Sequence, residues 1–489
     1  MSSPAVPVTI RSTIPARIDR LPWTPFHTRL VLGLGTAWIL DGLQITIASS
    51  VAGVLTQSDT LDLTSVQVGL IATVYLLGQV TGALIFGKLS DRLGRRRLFT
   101  WTLGLYLIGG GMTAFTMGDS PIWLVYFYLT RFIAGMGIGG EYSAINSAID
   151  ELMPAKYRGR VDVWINGSYW AGAILGSFVT LFFLDVLPVD LGWKVSFLAG
   201  PVLALVIIYV RKTLPESPRW LLYHGRADEA DEIMDQIEQE AVASGHLLTD
   251  VPADKAVTLR PGRTYGYFAI LRLTFGRYTK RAILGATLMI TQSFLYNAIF
   301  FTYAIVLTQF YGVAPAAVPL YGLAFSVGNL AGPLILAPLF DILGRKRMIA
   351  GTYLISAVTL ALSGFLFEAG VLSAVSQTVI WVVVFFFASA GASAAYLTVS
   401  ETWPIEIRAQ AIAVFFAIAQ IVGSMGPLLF GWLIGNGEDP TRLLVGYLVG
   451  AGVMAIGGIV ELLIGINAEG KSLEDVTDPL SAVPDDTRT

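Results

Sequence analysis

Two ionisable residues stand deep inside stretches that otherwise carry no charge. Asp41 lies about eleven residues into the apolar run 30–56, and Arg131 about ten residues into the run 121–146. At 1.5 Å per residue each is about 16 Å in, near the middle of a hydrocarbon core about 30 Å thick. A lone charge there is expensive, and mutual pairing is the economical solution. An Asp that pairs when charged and lets go when protonated is a proton-coupling element. The same two residues could instead form a static ion pair, or Arg131 could receive a substrate carboxylate. Glu141 lies ten residues further along the same run, near the inner surface, and is assigned to proton coupling or to a gate network. Glu461, near the end of the run 441–465, is expected to snorkel to the interface. There is no cysteine, so disulfides and thiolate metal sites are excluded. No nucleophile–base or metal-ligand constellation occurs. The chain therefore reads as neither an enzyme nor a metal protein, and no cofactor is called for.

A second set of charges occurs twice. Asp91, Gly94, Arg95 and Arg97 return 250 residues later as Asp341, Gly344, Arg345 and Arg347. Glu151, Pro154 and Arg158 return at the same offset as Glu401, Pro404 and Arg408. Two motifs that keep both internal spacing and separation point to a duplicated unit. Each copy lies between long apolar runs, so the duplicated unit is a membrane bundle. Parallel halves are a known transporter plan. In the first copy Asp91 can accept from a helix N-terminus or pair with Arg. Gly94 permits a tight turn, and the arginines hold the loop at an anionic leaflet.

The elements that must position these residues follow from composition. Hydrophobic residues make up 54% and charged residues 14%, against about 25% charged in soluble domains. Twelve apolar runs are long enough to span a bilayer, from 30–56 to 441–465. With the N-terminus inside, inner segments hold 29 of the 32 Lys and Arg residues, which favours both termini on the cytoplasmic side of a cell membrane. The division is a cytoplasmic segment 1–29, a six-helix bundle 30–211, a cytoplasmic linker 212–280, a second six-helix bundle 281–465 and a cytoplasmic tail 466–489. Within the linker, 227–241 reads as a short amphipathic helix. Whether the linker does more than join the halves stays open. The net charge of −3 gives no sign of nucleic-acid binding, and a monomer is expected.

The loop Gly87–Arg97 resembles the signature loop of the major facilitator superfamily, and Asp341–Arg347 its degenerate repeat. Glu151–Gly159 and Glu401–Arg408 resemble the E-x-x-P-x-x-x-R elements of sugar porters, and Pro215–Leu221 and Glu469–Glu474 that family's later signatures. The resemblance covers roughly 30–476. It implies an all-α membrane protein with twelve transmembrane helices in two six-helix halves. It also implies a gate of ion pairs drawn from Asp91, Arg95, Glu151, Arg158, Glu216, Arg219, Asp341, Arg345, Glu401 and Arg408. The sugar-porter binding positions fall on Asn166, Gln292, Asn297 and Tyr396, with Trp170 and Tyr296 beside them. Several differ from the hexose pattern: Asn166 replaces a glutamine and Tyr396 a tryptophan. Metabolite:proton symporters are also similar, through Asp41-Gly42 and Gly139-Gly140-Glu141, although their second acidic position in span one is Gln44 here.

The sequence thus reads as a proton-coupled symporter of a small polar metabolite, organic acid or sugar-like, working by alternating access. Its expected partners are the small-molecule substrate, protons and the lipid bilayer. A facilitative sugar or polyol uniporter, a drug exporter and a non-transporting nutrient receptor stay open as alternatives.

Overall fold

The computed structural model describes residues 10–211, 215–259, 266–404, 407–435, 437 and 439–466; the side chains of Asp91, Arg95 and Asp341 lie outside the described residues. A strand β1 (Ile10–Ser12) and a helix α1 (Ile14–Arg20) precede the first half. That half runs α2 (Pro25–Ser50), α3 (Ser65–Leu93), α4 (Arg95–Thr113), α5 (Pro121–Leu152), α6 (Ala155–Val186) and α7 (Val189–Arg211). The linker holds α8 (Pro218–Tyr223), α9 (Ala227–Ala243), β2 (Val257–Leu259) and α10 (Tyr267–Arg277). The second half runs α11 (Thr279–Phe300), α12 (Tyr303–Tyr311), α13 (Val318–Ile342), α14 (Arg345–Glu368), α15 (Ala374–Glu401), α16 (Arg408–Ile434) and α17 (Pro440–Ile464). Among the described residues, ten helices are long and apolar enough to cross a membrane. Helices α4 and α7 complete two sets of six.

The first membrane-spanning helix, α2, begins at Pro25, ahead of the apolar run. Thr24 and His27 cap one another's ends in a reciprocal box, and proline occupies the first turn. The seventh crossing, read from sequence as one span, is broken between α11 and α12. There the backbone tightens, with Thr302 N–H donating to the Ile299 carbonyl at 3.1 Å, a 3₁₀-type bond that dislocates the axis. The repeated glycines do the same work in both halves. Gly94 has φ 87° and Gly344 φ 91°, a region that a Cβ disfavours, and each opens the helix that follows.

Close backbone packing sets the register of the first half. A Cβ on Gly135 would stand 2.1 Å from the Tyr75 carbonyl oxygen, and one on Gly139 2.0 Å from that of Gln79. Helix α5 therefore lies directly on α3, as small residues allow in membranes. Between the halves, α3 packs on α16 and α6 on α13.

The linker is a folded element. Ala230, Met234, Ile237 and Ala241 recur on one face of α9 and pack with Ile14, Ile18 and Leu21 of the N-terminal segment, and with Trp220 and Leu221. Strand β1 pairs antiparallel with β2, Ile10 opposite Leu259. Arg17 reaches Asp231 at 3.0 Å, Asp235 at 2.5 Å and Glu238 at 2.7 Å, and Arg20 reaches Glu238 at 2.6 Å. Burial pulls the Glu238 carboxyl up, but the hydrogen bonds from Arg17 and Arg20 outweigh it and hold the group below its ordinary value of 4.5. The bond to Glu238 in turn raises Arg17.

A depressed carboxylate stabilises the assembly above its ordinary pKa and loses that contribution as pH falls through the lower folded value. In wild type, protection of amides 10–20, corrected for intrinsic rates, should therefore hold at neutral pH and weaken below about pH 4.5. Arg17→Ala should speed their exchange about fivefold already at neutral pH, equivalent to about 1 kcal/mol for a partly exposed ion-pair network. Unaltered exchange in the variant would show that β1 and the apolar face alone hold the segment.

Candidate functional site

A cavity lies between the halves, lined by α2, α3, α5 and α6 on one side and α11, α15 and α16 on the other. Centres of water-sized molecules can occupy about 130 Å³ of it, room for on the order of ten waters. On the linker side Tyr142 stacks on Phe416 at 4.1 Å and lies 5.4 Å from Tyr396. Toward the opposite end the halves are joined by Thr73 donating to the Ser424 carbonyl at 2.9 Å. Further out, Ser50 and Tyr303 hydroxyls lie 3.3 Å apart, and Ser65 donates to the Gly435 carbonyl at 3.2 Å. The halves thus touch on both sides of the cavity.

Eight of the residues singled out in the sequence line this space: Asp41, Glu141, Asn166, Trp170, Gln292, Tyr296, Asn297 and Tyr396. Trp170 lies 5.7 Å from Tyr296 and 5.6 Å from Phe300, forming an aromatic wall. Gln292 donates to the Tyr396 hydroxyl at 2.7 Å. Among the described residues, neither polar atom of the Asn166 amide has a hydrogen-bond partner, although the residue is buried. Buried amides are ordinarily satisfied, so Asn166 is available to whatever occupies the cavity.

The expected direct pairing of Asp41 with Arg131 is not made. Tyr75 stands between them: its hydroxyl donates to Asp41 Oδ1 at 2.9 Å, and its ring centroid lies 4.5 Å from the Arg131 guanidinium carbon. Gln79 also donates to Asp41 Oδ1, at 3.4 Å. Arg131 donates to Gln44 Oε1 at 3.1 Å, and Gln44 donates to the Phe197 carbonyl at 3.1 Å. The close approach of α3 to α5 at Gly135 seats Tyr75 in the gap. Arg131 is buried behind the cavity wall and does not line it. A direct contact with a substrate carboxylate is therefore not available to it here.

Sequence reading missed Gln79, Ser293 and Gln420, which line the same cavity. Gln420 donates to Gln79 Oε1 at 2.9 Å and accepts from Ser293 at 2.6 Å and Asn297 at 3.1 Å. A signal existed. The 250-residue offset carries Gln79 onto Asn329, a polar residue in an apolar run, which accepts from Tyr296 at 3.1 Å.

The gate residues gather at the linker end. Arg345 pairs with Glu401 at 2.5 Å, both buried. Arg408, Glu151 and Arg158 are buried as well, and Arg408 donates to the Trp403 carbonyl at 3.0 Å. Glu216 sits on the first repeated loop, where a Cβ at Gly94 would meet its Oε2 at 2.3 Å. Arg219 lies 3.9 Å from Asp19 of α1, a partner from the N-terminal segment. Asp91, Arg95 and Asp341 sit at the ends of α3, α4 and α13, and their side-chain contacts are outside the described residues. Glu461 does not snorkel; it is fully buried in the second half.

Two parallel six-helix halves around a polar central cavity define a membrane transporter of the major facilitator superfamily, not an enzyme. The chain belongs to the family described as "Sugar (and other) transporter", whose model matches residues 31–479. It is 27% identical over 463 residues to the niacin transporter NiaP of Acinetobacter baylyi, covering 94% of this chain and 99% of that protein. It is 26% identical over 454 residues to the inner membrane metabolite transport protein YgcS of Escherichia coli, covering 92% and 94%. Among solved structures, the proton:xylose symporter XylE bound to 6-bromo-6-deoxy-D-glucose matches with TM-score 0.75 at 20% identity, over 92% of this chain and 98% of that one. The inward-open form of XylE from E. coli matches with TM-score 0.70 at 20% identity, over 92% and 99%.

Arg345→Ala should lower stability by about 3–5 kcal/mol, the usual loss when one member of a buried ion pair is removed. The Arg345→Met/Glu401→Met double variant should recover most of that loss in thermal unfolding. If the double variant is no more stable than the single, the cost lies in packing and not in charge. Asn166→Ala and Asn297→Ala should each weaken substrate binding by about 1–3 kcal/mol, the usual cost of orphaning a buried polar partner. Isothermal titration checks both, and unchanged affinity would move the site away from these amides.

Proposed function

We propose that this protein is a proton-coupled symporter that imports a small polar metabolite by alternating access. The observation that carries the reading is the company Asp41 and Glu141 keep. Both carboxyls face the cavity that holds the Asn166, Gln292 and Asn297 amides, and among the described residues lining it there is no Lys or Arg. Two acids without a lining cation repel an anion, so a carboxylate substrate enters favourably only together with a proton. The aromatic wall of Trp170, Tyr296 and Phe300 fits a flat ring, and the amides fit its polar substituents. An aromatic acid such as nicotinate is therefore the substrate class we favour. The relative named as a niacin transporter agrees with this choice. A sugar is the competing class, in line with the xylose symporter.

Asp41 is the proton carrier in this reading, with Tyr75 relaying its charge state to Arg131, and Glu141 a second acid in the same space. The ion pairs at the linker end, Arg345–Glu401 foremost, serve as the inner gate, joined by Asp91, Arg95 and Asp341. The basic linker end faces the cytoplasm of a cell membrane, with both termini there, and the working unit is a monomer.

Proteoliposomes test this. Wild type should accumulate labelled nicotinate under an inward proton gradient, with unlabelled nicotinate, nicotinamide and D-xylose as competitors that rank the substrate classes. Asp41→Asn should lose accumulation yet keep exchange of labelled for unlabelled substrate. Should Asp41→Asn still concentrate substrate, Asp41 is not the coupling group and facilitation becomes the better account.

A further inference from the structure

Asp41 is wired to the opposite half of the molecule by an unbroken line of hydrogen bonds. Its Oδ1 accepts from the Gln79 amide nitrogen at 3.4 Å. The Gln79 carbonyl oxygen accepts from Gln420 at 2.9 Å, across the junction of α3 and α16. The Gln420 carbonyl oxygen accepts from Ser293 at 2.6 Å and from Asn297 at 3.1 Å. Asn297 donates also to Ser293, at 3.1 Å. A Cβ on Gly423 would stand 2.2 Å from Ser293 Oγ and 2.7 Å from Asn297 Nδ2. The bare backbone there is what lets α11 bring both groups against α16.

One group sets the polarity of this line. An ionised carboxylate can only accept, so Gln79 must turn its nitrogen toward Asp41 and its oxygen toward Gln420. Gln420 must then present its nitrogen to Gln79, leaving its oxygen for Ser293 and Asn297. With its nitrogen so used, Asn297 offers its oxygen, an acceptor, to the cavity. A protonated Asp41 removes the charge-assisted bond and becomes a donor itself. Both glutamines can then reverse. Gln420 donates to Asn297, whose nitrogen is freed to donate to a solute.

We propose that Gln79 and Gln420 form an amide relay that converts the protonation of Asp41 into a switch of Asn297 from acceptor to donor, so that proton binding prepares the cavity for a carboxylate or carbonyl. The proposal rests on the proton-coupled reading and supplies its link between proton and substrate. Gln79 and Gln420 are positioning residues in it. Other groups face Asp41: Tyr75 and Arg131, already described, Glu141, and the phenols of Tyr106, Tyr169 and Tyr396. Phenols ordinarily titrate near pH 10 and arginine stays charged, so Glu141 is the one neighbour whose titration must be separated.

The test is equilibrium binding of labelled nicotinate to purified protein between pH 5.5 and 7.5, with D-xylose as the alternative probe. Wild type should bind about tenfold tighter at pH 5.5, within the usual range of coupling between sites. Gln79→Met and Gln420→Met keep the volume but cannot relay; each should flatten the ratio to about twofold or less, as should Asp41→Asn. In a Glu141→Gln background, Gln79→Met should still flatten whatever pH dependence remains. A merely structural loss would weaken binding equally at all pH values and leave the ratio intact. A wild type whose affinity ignores pH overturns the proton-coupled reading and the relay together. A pH-sensitive wild type whose ratio survives in both methionine variants, while Asp41→Asn loses it, overturns the relay alone. The two variants are independent, and each is scored only on protein that elutes as a single folded species.

Discussion

The cost of holding a charge within apolar surroundings governs how this molecule is built. Asp41 and Arg131 are both buried, and the structure does not let them neutralise one another by contact. It surrounds each with neutral dipoles instead: a phenol and an amide for the acid, an amide and two aromatic faces for the cation. A direct buried ion pair is deep and hard to open. Charges separated by a phenol attract through the low-dielectric interior, yet each can change partner or protonation without leaving the other stranded. That arrangement suits a site that must cycle.

The helices can provide it only because their backbones come unusually near. Glycines on α5 remove the side chains that would hold α3 away, and this seats Tyr75 and Gln79 beside the acid. Gly423 does the equivalent service for Ser293 and Asn297 within the second half, where α11 meets α16. Fine positioning of polar groups thus depends on positions that carry no side chain. The halves meet on the linker side of the cavity through rings, Tyr142 on Phe416, and on the other side through a hydroxyl donating to a carbonyl. Neither contact is a buried ion pair, so separating either leaves no stranded charge.

Much of this was legible in the chain. The twelve spans, the duplication and the eight cavity residues followed from hydropathy, from an offset of 250 and from resemblance. Three things were not. The break between α11 and α12 leaves no mark in hydropathy, because Phe301 and Thr302 fit an apolar run and the change is in backbone hydrogen bonding. Interposition of Tyr75 was invisible, since depth along a helix places two charges at one level without saying what lies between them. Gln79 and Gln420 escaped because an uncharged amide in an apolar run stands out less than an acid. The linker was underrated for another reason. Its apolar face at Ala230, Met234, Ile237 and Ala241 was readable, but its partner is the N-terminal segment, more than 200 positions away in sequence.

That pairing has a consequence for how the protein is made. Ile10 meets Leu259 in the β1–β2 ladder, so the first strand leaves the ribosome long before its mate exists. At about 5–20 residues per second, the wait is tens of seconds, during which the entire first six-helix half can insert. Through that interval the α1 arginines and the apolar side chains of Ile14 and Ile18 have no linker to bind. A nascent chain with such a segment near the membrane surface is open to holding factors or to premature contacts. The strand pair closes only when the second half is about to begin, and so marks completion of the first half during biogenesis.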